Sequence, residues 1–378
     1  MKGEAERSRE APGAHDADRA DSARRRLLAA GAGLAAISAG RQLLAATKVP
    51  QKPQPGAPDE KDVHLPAGGV MPKRRLGRTG VDVSLVGLGG FHIGLPKEES
   101  TAIRIVRMAL DHGVTFLDNC WDYNGGKSQV WMGHALRDGY RQKAFLMTKI
   151  DGRTRKSAAE QIDQCLKSLE TETIDLVQIH EVIRDSDPER VFGPDGAIEA
   201  LVAARKAGKI RFIGFTGHKS PAIHLKMLST AKAHGFAFDT VQMPLNVMDR
   251  HYDSFHGVLP VAAEQDVGVL GMKPFGSGLF FKSGPLASRA LTPTDCLQYA
   301  MGLPTSVVIT GCDTVGILKQ ALDAAYRFRP PSEKQRAALL ATTADAARAG
   351  TWERYKTTEI FDGTAQHPWW LETASLDR

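Results

Sequence analysis

From Arg74 onward, short apolar runs alternate with longer stretches whose apolar residues recur every three to four positions. The runs read as strands and the stretches as helices. The opening RRLGRTGVDVSLVGLGG predicts a hairpin, Arg74–Leu76 against Val81–Val83, across a Gly-Arg-Thr-Gly turn. A strand over Leu85–Leu88 follows and ends in Gly89-Gly90. Helix Glu98–Asp111 then leads to strand Thr115–Leu117, and helix Gln129–Arg137 to strand Ala144–Thr148. Ser157–Leu169 leads to Ile174–Ile179, Gly196–Ala207 to Ile210–Phe215, and Ala222–Ala233 to Phe238–Met243. Val258–Glu264 leads to Val267–Gly271 and Pro293–Met301 to Ser306–Ile309, with a last helix over Val315–Tyr326. Strands apolar on both faces belong to a parallel sheet covered by helices. Eight strand–helix units in about 250 residues predict an α/β fold, a closed (β/α)8 TIM barrel. The competing open, doubly wound sheet usually carries GxGxxG after its first strand. GLGGFHIG has Gly87 and Gly89 but His92 where the third glycine belongs, so that fingerprint fails.

The flanks carry a different pattern. Within residues 1–46, Ser22–Gly40 places Arg24, Arg25 and Arg26 before about fourteen weakly apolar, Ala/Gly-rich residues. That run is too short for a bilayer span and has the n-region and h-region of an export signal. The arginines followed by Leu27 and Leu28 resemble a twin-arginine signal, which implies export machinery as a partner and an exported, periplasmic location. A protein held at the membrane by an uncleaved signal, and a cytoplasmic one, are the alternatives. Residues 47–72 are rich in proline and glycine and read as a linker to a barrel over 73–330. Residues 331–378 form a C-terminal extension, with a helix over Ser332–Ala347 and the aromatic segment His367-Pro368-Trp369-Trp370-Leu371. Such a segment is expected to pack over the mouth or the bottom of the barrel.

Composition narrows the function. The chain has 378 residues, 42% of them hydrophobic, enough for a sizeable core. The net charge is +6, but no Lys/Arg run with interleaved aromatics occurs in the body, which argues against nucleic acid. Cys120, Cys165, Cys296 and Cys312 show no CxxC or other metal-like spacing, so no metal is expected. In a parallel barrel, chemistry gathers where strands end at the C-terminal face. Asp118 follows the second strand, Lys149 the third and His180 the fourth, and Tyr123 lies in the loop after the second. A phenol is a weak acid that a nearby ammonium makes stronger, a carboxylate keeps that ammonium charged, and a histidine can hold a carbonyl oxygen. The set suits protonation of an alkoxide as it forms from C=O.

These residues carry a specific resemblance. Asp-x-x-x-x-Tyr after the second strand, Lys after the third and His after the fourth resemble the aldo-keto reductase family, as do RRLGRTGVDVSLVGLGG and IRFIGFTGH. The similarity covers about residues 73–330. It implies a (β/α)8 barrel, NADP(H) or NAD(H) as cofactor, no metal, and a small-molecule carbonyl or alcohol as substrate. It implies Tyr123 as general acid/base, tuned by Lys149 and Asp118, with His180 orienting the carbonyl. On the cofactor side it implies Gly90, then Thr216-Gly217-His218 and Gln242 at the nicotinamide amide. Met272 stands where many members place a stacking aromatic. Lys273, Phe275 and Ser277 belong to the loop Met272–Gly278 along the pyrophosphate. Gln320 lies in the adenosine-reading segment, where Ile317 and Ala321 replace an Arg and an Asn common in the family and Asp313 is near. The choice between NADH and NADPH stays open. Phe91, His92, Trp121 and the loop after His180 are candidate pocket walls, with Trp121 and Asn124 shaping the substrate side. A non-catalytic nicotinamide-binding sensor on the same barrel, or another barrel enzyme such as an isomerase or lyase, are the competing readings.

Overall fold

The computed structural model describes residues 58–282 and 291–377. The export-signal reading of residues 1–46 lies outside them. A hairpin comes first, β1 (Lys73–Arg75) antiparallel to β2 (Asp82–Ser84). Eight parallel strands follow: β3 (Val86–Gly89), β4 (Phe116–Asp118), β5 (Phe145–Ile150), β6 (Ile174–Ile179), β7 (Ile210–Thr216), β8 (Thr240–Pro244), β9 (Gly268–Met272) and β10 (Val307–Gly311). They close into a barrel in the order β10-β3-β4-β5-β6-β7-β8-β9. Helices over Glu99–Asp111, Arg155–Ser168, Pro221–Ala233 and Val315–Tyr326 belong to the outer layer.

The two-sided apolar strands have a direct cause. Side chains alternate along a strand, and most of the barrel strands feed two separate apolar clusters. Phe116, Phe145, Met147, Leu176, Leu270, Val307 and Ile309 form the inner cluster. Their neighbours Leu117, Leu146, Val177, Val269 and Val308 belong to the larger cluster packed with the helices. Leu76 and Val83 of the hairpin join the inner cluster, so the hairpin plugs one end of the barrel. Arg78 fastens it there, its backbone N–H donating to Asp266 O at 2.8 Å.

The alternation also places the polar residues. Two positions beyond an inward apolar residue, the side chain again faces inward, now at the C-terminal end of its strand. Phe116 is followed in this way by Asp118, Met147 by Lys149, Leu176 by Gln178, Thr240 by Gln242 and Leu270 by Met272. The register sets Gly89 beside Asp118, Lys149 beside Gln178, and Thr216 beside Gln242. Asp118 and Lys149 are therefore inside β4 and β5 rather than beyond them, as the pattern alone suggested. A charge paired with its counterpart on the adjacent strand can be carried within the strand.

The proline-rich stretch read as a linker is laid on the barrel in its described part. Lys319 Nζ donates to Glu60 O at 2.9 Å, Arg104 pairs with Glu60 at 2.6 Å, and Met71 is buried in the core. The C-terminal extension packs over the mouth. After the helix Glu333–Ala347, its chain meets one loop after another at the C-terminal ends of the strands. Lys356 pairs with Asp249 at 2.7 Å and Glu353 at 3.0 Å, all three side chains being almost wholly buried. Asp362 takes His218 Nε2 at 2.9 Å and Lys219 Nζ at 2.7 Å. The Glu181 carboxylate accepts the N–H groups of Gly363 and Thr364 at 2.9 and 2.7 Å. Among the described residues, no helix is long and apolar enough to cross a membrane.

Candidate active site

Asp118 and Lys149 form a buried ion pair, 3% and 1% exposed. The Lys149 ammonium also donates to Asn119 O at 2.9 Å and to Tyr123 Oη at 3.3 Å. Gln242 Nε2 donates to the other Asp118 oxygen at 2.6 Å. Asp118, Lys149, Tyr123 and Gln242 thus form one hydrogen-bonded group drawn from β4, the loop after it, β5 and β8. The carboxylate, caught between an ammonium and an amide, has no freedom to turn.

The loop after β4 holds the phenol in place. Asn119 N–H donates to Met147 O at 2.9 Å and Trp121 N–H to Lys149 O at 3.3 Å, so the loop rides on β5. Asn124 then takes a left-handed conformation, φ 55°, which asparagine tolerates better than most residues. Its amide donates to Phe91 O at 2.8 Å and ties this loop to the one after β3. Phe91 consequently stands edge-on to Tyr123, ring centroids 5.5 Å apart. Gly90 has to be glycine here: a Cβ would run into the Asp118 carbonyl and the Asn119 backbone.

His180 follows β6, its N–H donating to Ile150 O at 2.8 Å. Its ring meets Tyr123 edge-on at 5.9 Å between centroids. His180 Nδ1 lies 3.0 Å from Asp151 Oδ1 and 3.3 Å from Cys120 Sγ. An ionised carboxylate only accepts, so Nδ1 carries the proton in that contact. Cys120, Asp122 and His180 offer atoms within 4.8 Å of one another, a spacing a metal ion could use. Nδ1, 3.3 Å from Cys120 Sγ and 4.0 Å from Asp122 Oδ1, is the nitrogen that donates to Asp151.

Charge follows from burial. Burial pushes the Tyr123 phenol well above its ordinary range, and Asp118, Cys120 and Asp122 push the same way. Burial thus outweighs the acid-strengthening effect expected of the nearby ammonium. Burial pulls the His180 ring down, but Asp151, Glu181 and Asp122 outweigh it and the ring ends above its usual value. Asp122 is raised to about 6, by burial and then by Asp151. Lys273, lowered to about 8 by burial first and by Lys149 among its neighbours, stays mostly charged at neutral pH.

The residues expected to hold a cofactor fall in two groups. Thr216, Gln242 and Met272 line the same inward layer as Asp118, and Thr216 Oγ1 lies 3.9 Å from Met272 Sδ. The Gln242 carbonyl oxygen is buried and has no partner among the described residues. Lys273 has a left-handed backbone, φ 56°, and so does Ser277, φ 59°. Among the described residues no carboxylate lies within ion-pair distance of Lys273. Its ammonium instead reaches Ser277 Oγ at 3.5 Å and lies 5.2 and 5.3 Å from the ring centres of Tyr355 and Phe361. Phe275 is nearly buried beside them. Gln320 is half-buried on the helix Val315–Tyr326, apart from the layer around Asp118.

Two expected pocket walls do other work. Trp121 is buried and its indole N–H donates to Asp151 Oδ2 at 2.6 Å. Asn124 is spent on Phe91 and on Ser128 Oγ, 2.9 Å away. Two polar residues went unread in the sequence. Gln178 was hidden inside an apolar run, and only its spacing from Leu176 marks it as inward-facing. It donates to Thr240 Oγ1 at 3.1 Å, and its own carbonyl oxygen is buried without a partner among the described residues. Asp151, completely buried, looked like an ordinary loop acid.

The aldo/keto reductase family model matches residues 85–295, more than half of the chain. The chain belongs to the aldo/keto reductase family. It is similar to the aldo-keto reductase YhdN of Bacillus subtilis, 30% identical over 207 residues, 51% of this chain and 58% of that protein. It is also similar to the uncharacterized oxidoreductase YrpG of the same organism, 27% identical over 224 residues, 54% of this chain and 66% of that one. The matches thus span less than two thirds of these relatives. Among solved structures, aldo-keto reductase AKR11C1 from Bacillus halodurans, holo form, superposes with a TM-score of 0.61 at 23% identity, over 74% of this chain and 99% of that one. At that identity the likeness speaks for the fold.

Proposed function

We propose that the chain is an NAD(P)(H)-dependent oxidoreductase that interconverts an aldehyde or ketone and its alcohol, with Tyr123 as the proton donor and acceptor. The contact of Tyr123 Oη with the buried Lys149 ammonium, 3.3 Å, carries this reading. The buried, unpartnered Gln242 oxygen suits an amide N–H, and the Lys273 ammonium without a carboxylate suits a phosphate oxygen. A nicotinamide dinucleotide has both groups. When bound, it supplies or accepts the hydride.

The chain's own residues handle the proton. Tyr123 is neutral at neutral pH, so it has a proton to give to the oxygen that becomes an alkoxide. Lys149 steadies the phenolate left behind, and Asp118 keeps Lys149 aimed. His180 donates its Nδ1–H to Asp151, and in the doubly protonated form that Asp151 favours, Nε2–H is free to donate to the carbonyl oxygen. The test is turnover of a model aldehyde with NADH and with NADPH by the protein and by Tyr123→Phe. Loss of turnover with cofactor binding kept is the expected result. Equal turnover by the variant would remove Tyr123 from the mechanism.

Residues 24–28, Arg-Arg-Arg-Leu-Leu, support export as a further reading of the same protein. Changing Arg24 and Arg25 to Lys is expected to shift it towards the cytoplasm in a fractionation experiment, and an unchanged distribution would count against the signal.

A further inference from the structure

A buried acid with no place in the proton path stands directly behind His180. Asp151 is completely buried and both of its carboxylate oxygens are taken. Oδ1 faces His180 Nδ1 at 3.0 Å, and Oδ2 accepts the Trp121 indole N–H at 2.6 Å. Its backbone is fixed as well: Gln161 Oε1 accepts Asp151 N–H at 2.8 Å, and Arg153 Nη1 donates to Asp151 O at 2.7 Å. The Arg153 guanidinium, itself buried, also donates to His180 O at 2.6 Å and pairs with Asp187 at 3.0 Å. Both anchors end on the C-terminal extension. Gln161 Nε2 donates to Trp370 O and Thr373 O, each at 2.7 Å, and Arg153 N–H to Leu371 O at 2.8 Å. Trp121 meets Trp370 edge-on at 5.7 Å.

We propose that Asp151 is a positioning residue that holds His180 as an Nδ1-protonated ring, with Trp121, Gln161 and Arg153 fixing Asp151 and the C-terminal extension fixing them. It rests on the role of His180 given above. A carboxylate on one ring nitrogen sets which nitrogen carries the proton and favours the doubly protonated form. The other groups facing the ring are Cys120, Asp122 and Tyr123 from the loop after β4, and Glu181 beside it in the chain, whose carboxylate is held by Gly363 and Thr364.

The experiment compares the titration of the His180 ring by NMR in the protein, in Asp151→Asn and in Trp121→Phe, with the signal assigned by its loss in His180→Gln. Asp151→Asn keeps the shape and removes the charge, and the midpoint is expected to fall by about one pH unit or more. Trp121→Phe removes only the donor on Oδ2 and leaves Asp151 a stronger partner for the ring, so the midpoint is expected to rise. General damage would move both in the same direction. The alkaline limb of kcat/KM for a model aldehyde should follow each midpoint. Unchanged midpoints in both variants, or shifts of the same sign, would overturn the proposal. If Asp151→Asn does not fold, the direction of the Trp121→Phe shift decides alone. The titration needs no turnover: opposite shifts in a protein that reduces no aldehyde would sink the reductase reading and leave the role of Asp151 standing.

Discussion

Lys149 and Gln242 grip the same carboxylate from opposite sides. The ammonium pairs with one Asp118 oxygen, and the Gln242 amide sits 2.6 Å from the other. Tyr123 touches the group only through Lys149. The phenol is therefore the outer end of a rigid chain of partners, which sets the cost of changing each member.

Tyr123→Phe removes the proton and little else, since the ring keeps its edge contacts with Phe91 and His180. A general acid is worth about a hundred- to ten-thousandfold in rate, and a loss of that size in kcat is expected. Calorimetric binding of NADH should be unchanged.

Lys149→Met leaves Asp118 buried with a neutral partner. Removing one member of a buried ion pair costs about 3–5 kcal/mol, so the denaturation midpoint should fall steeply. Asp118→Asn keeps a hydrogen-bonding group beside Gln242 and Lys149, and it should cost less. Urea melts of the two variants would show whether that order holds.

Lys273 ties anion binding to pH. Its value of about 8 lies below that of a free lysine, so it is charged at neutral pH and loses its charge as pH rises through about 8. Binding of inorganic pyrophosphate or NADH should weaken over that window, and Lys273→Met should bind weakly at every pH. Fluorescence titration at pH 7 and pH 9 would separate the two. An equal affinity at both values would remove Lys273 from the anion site.

His180 makes stability fall with rising pH as well. Its folded value lies above the ordinary 6.5 because of Asp151, so the contribution is complete below 6.5 and is lost as pH rises through the folded value. Asp151→Asn should flatten this part of the curve of unfolding free energy against pH, as measured by denaturant melts between pH 6 and 9.

Lys356→Met should loosen the extension. It strands Asp249 and Glu353 together in a buried site, at about 3–5 kcal/mol by the same reasoning. Limited proteolysis should then cut between Gly350 and Trp369 sooner than in the unaltered protein.

Much of this was legible in the chain before its fold was known. The barrel was readable because each strand is apolar on both faces, and Asp118, Lys149 and His180 because they interrupt that pattern near strand ends. Gln178 was not, because an amide two positions after Leu176 looks like the end of an apolar run. Asp151 and Trp121 were unreadable for another reason. Their role lies in contacts with His180 and Trp370, residues brought together by closure of the barrel and by the return of the C-terminus. The linker reading of residues 47–72 did not include, in its described part, the grip of Glu60 on Arg104 and Lys319, which no local pattern announces.

The docking of the extension orders events during synthesis. β10 ends at Gly311, so the barrel can close while the segment after residue 350 is still in the ribosome. The partners of Glu181, Gln161 and Arg153 lie between Gly363 and Thr373 and emerge after the last barrel strand. A nascent chain stalled before that point carries a closed barrel whose mouth is unfinished. Docking of this segment, rather than closure of the sheet, is the step that completes the environment of His180.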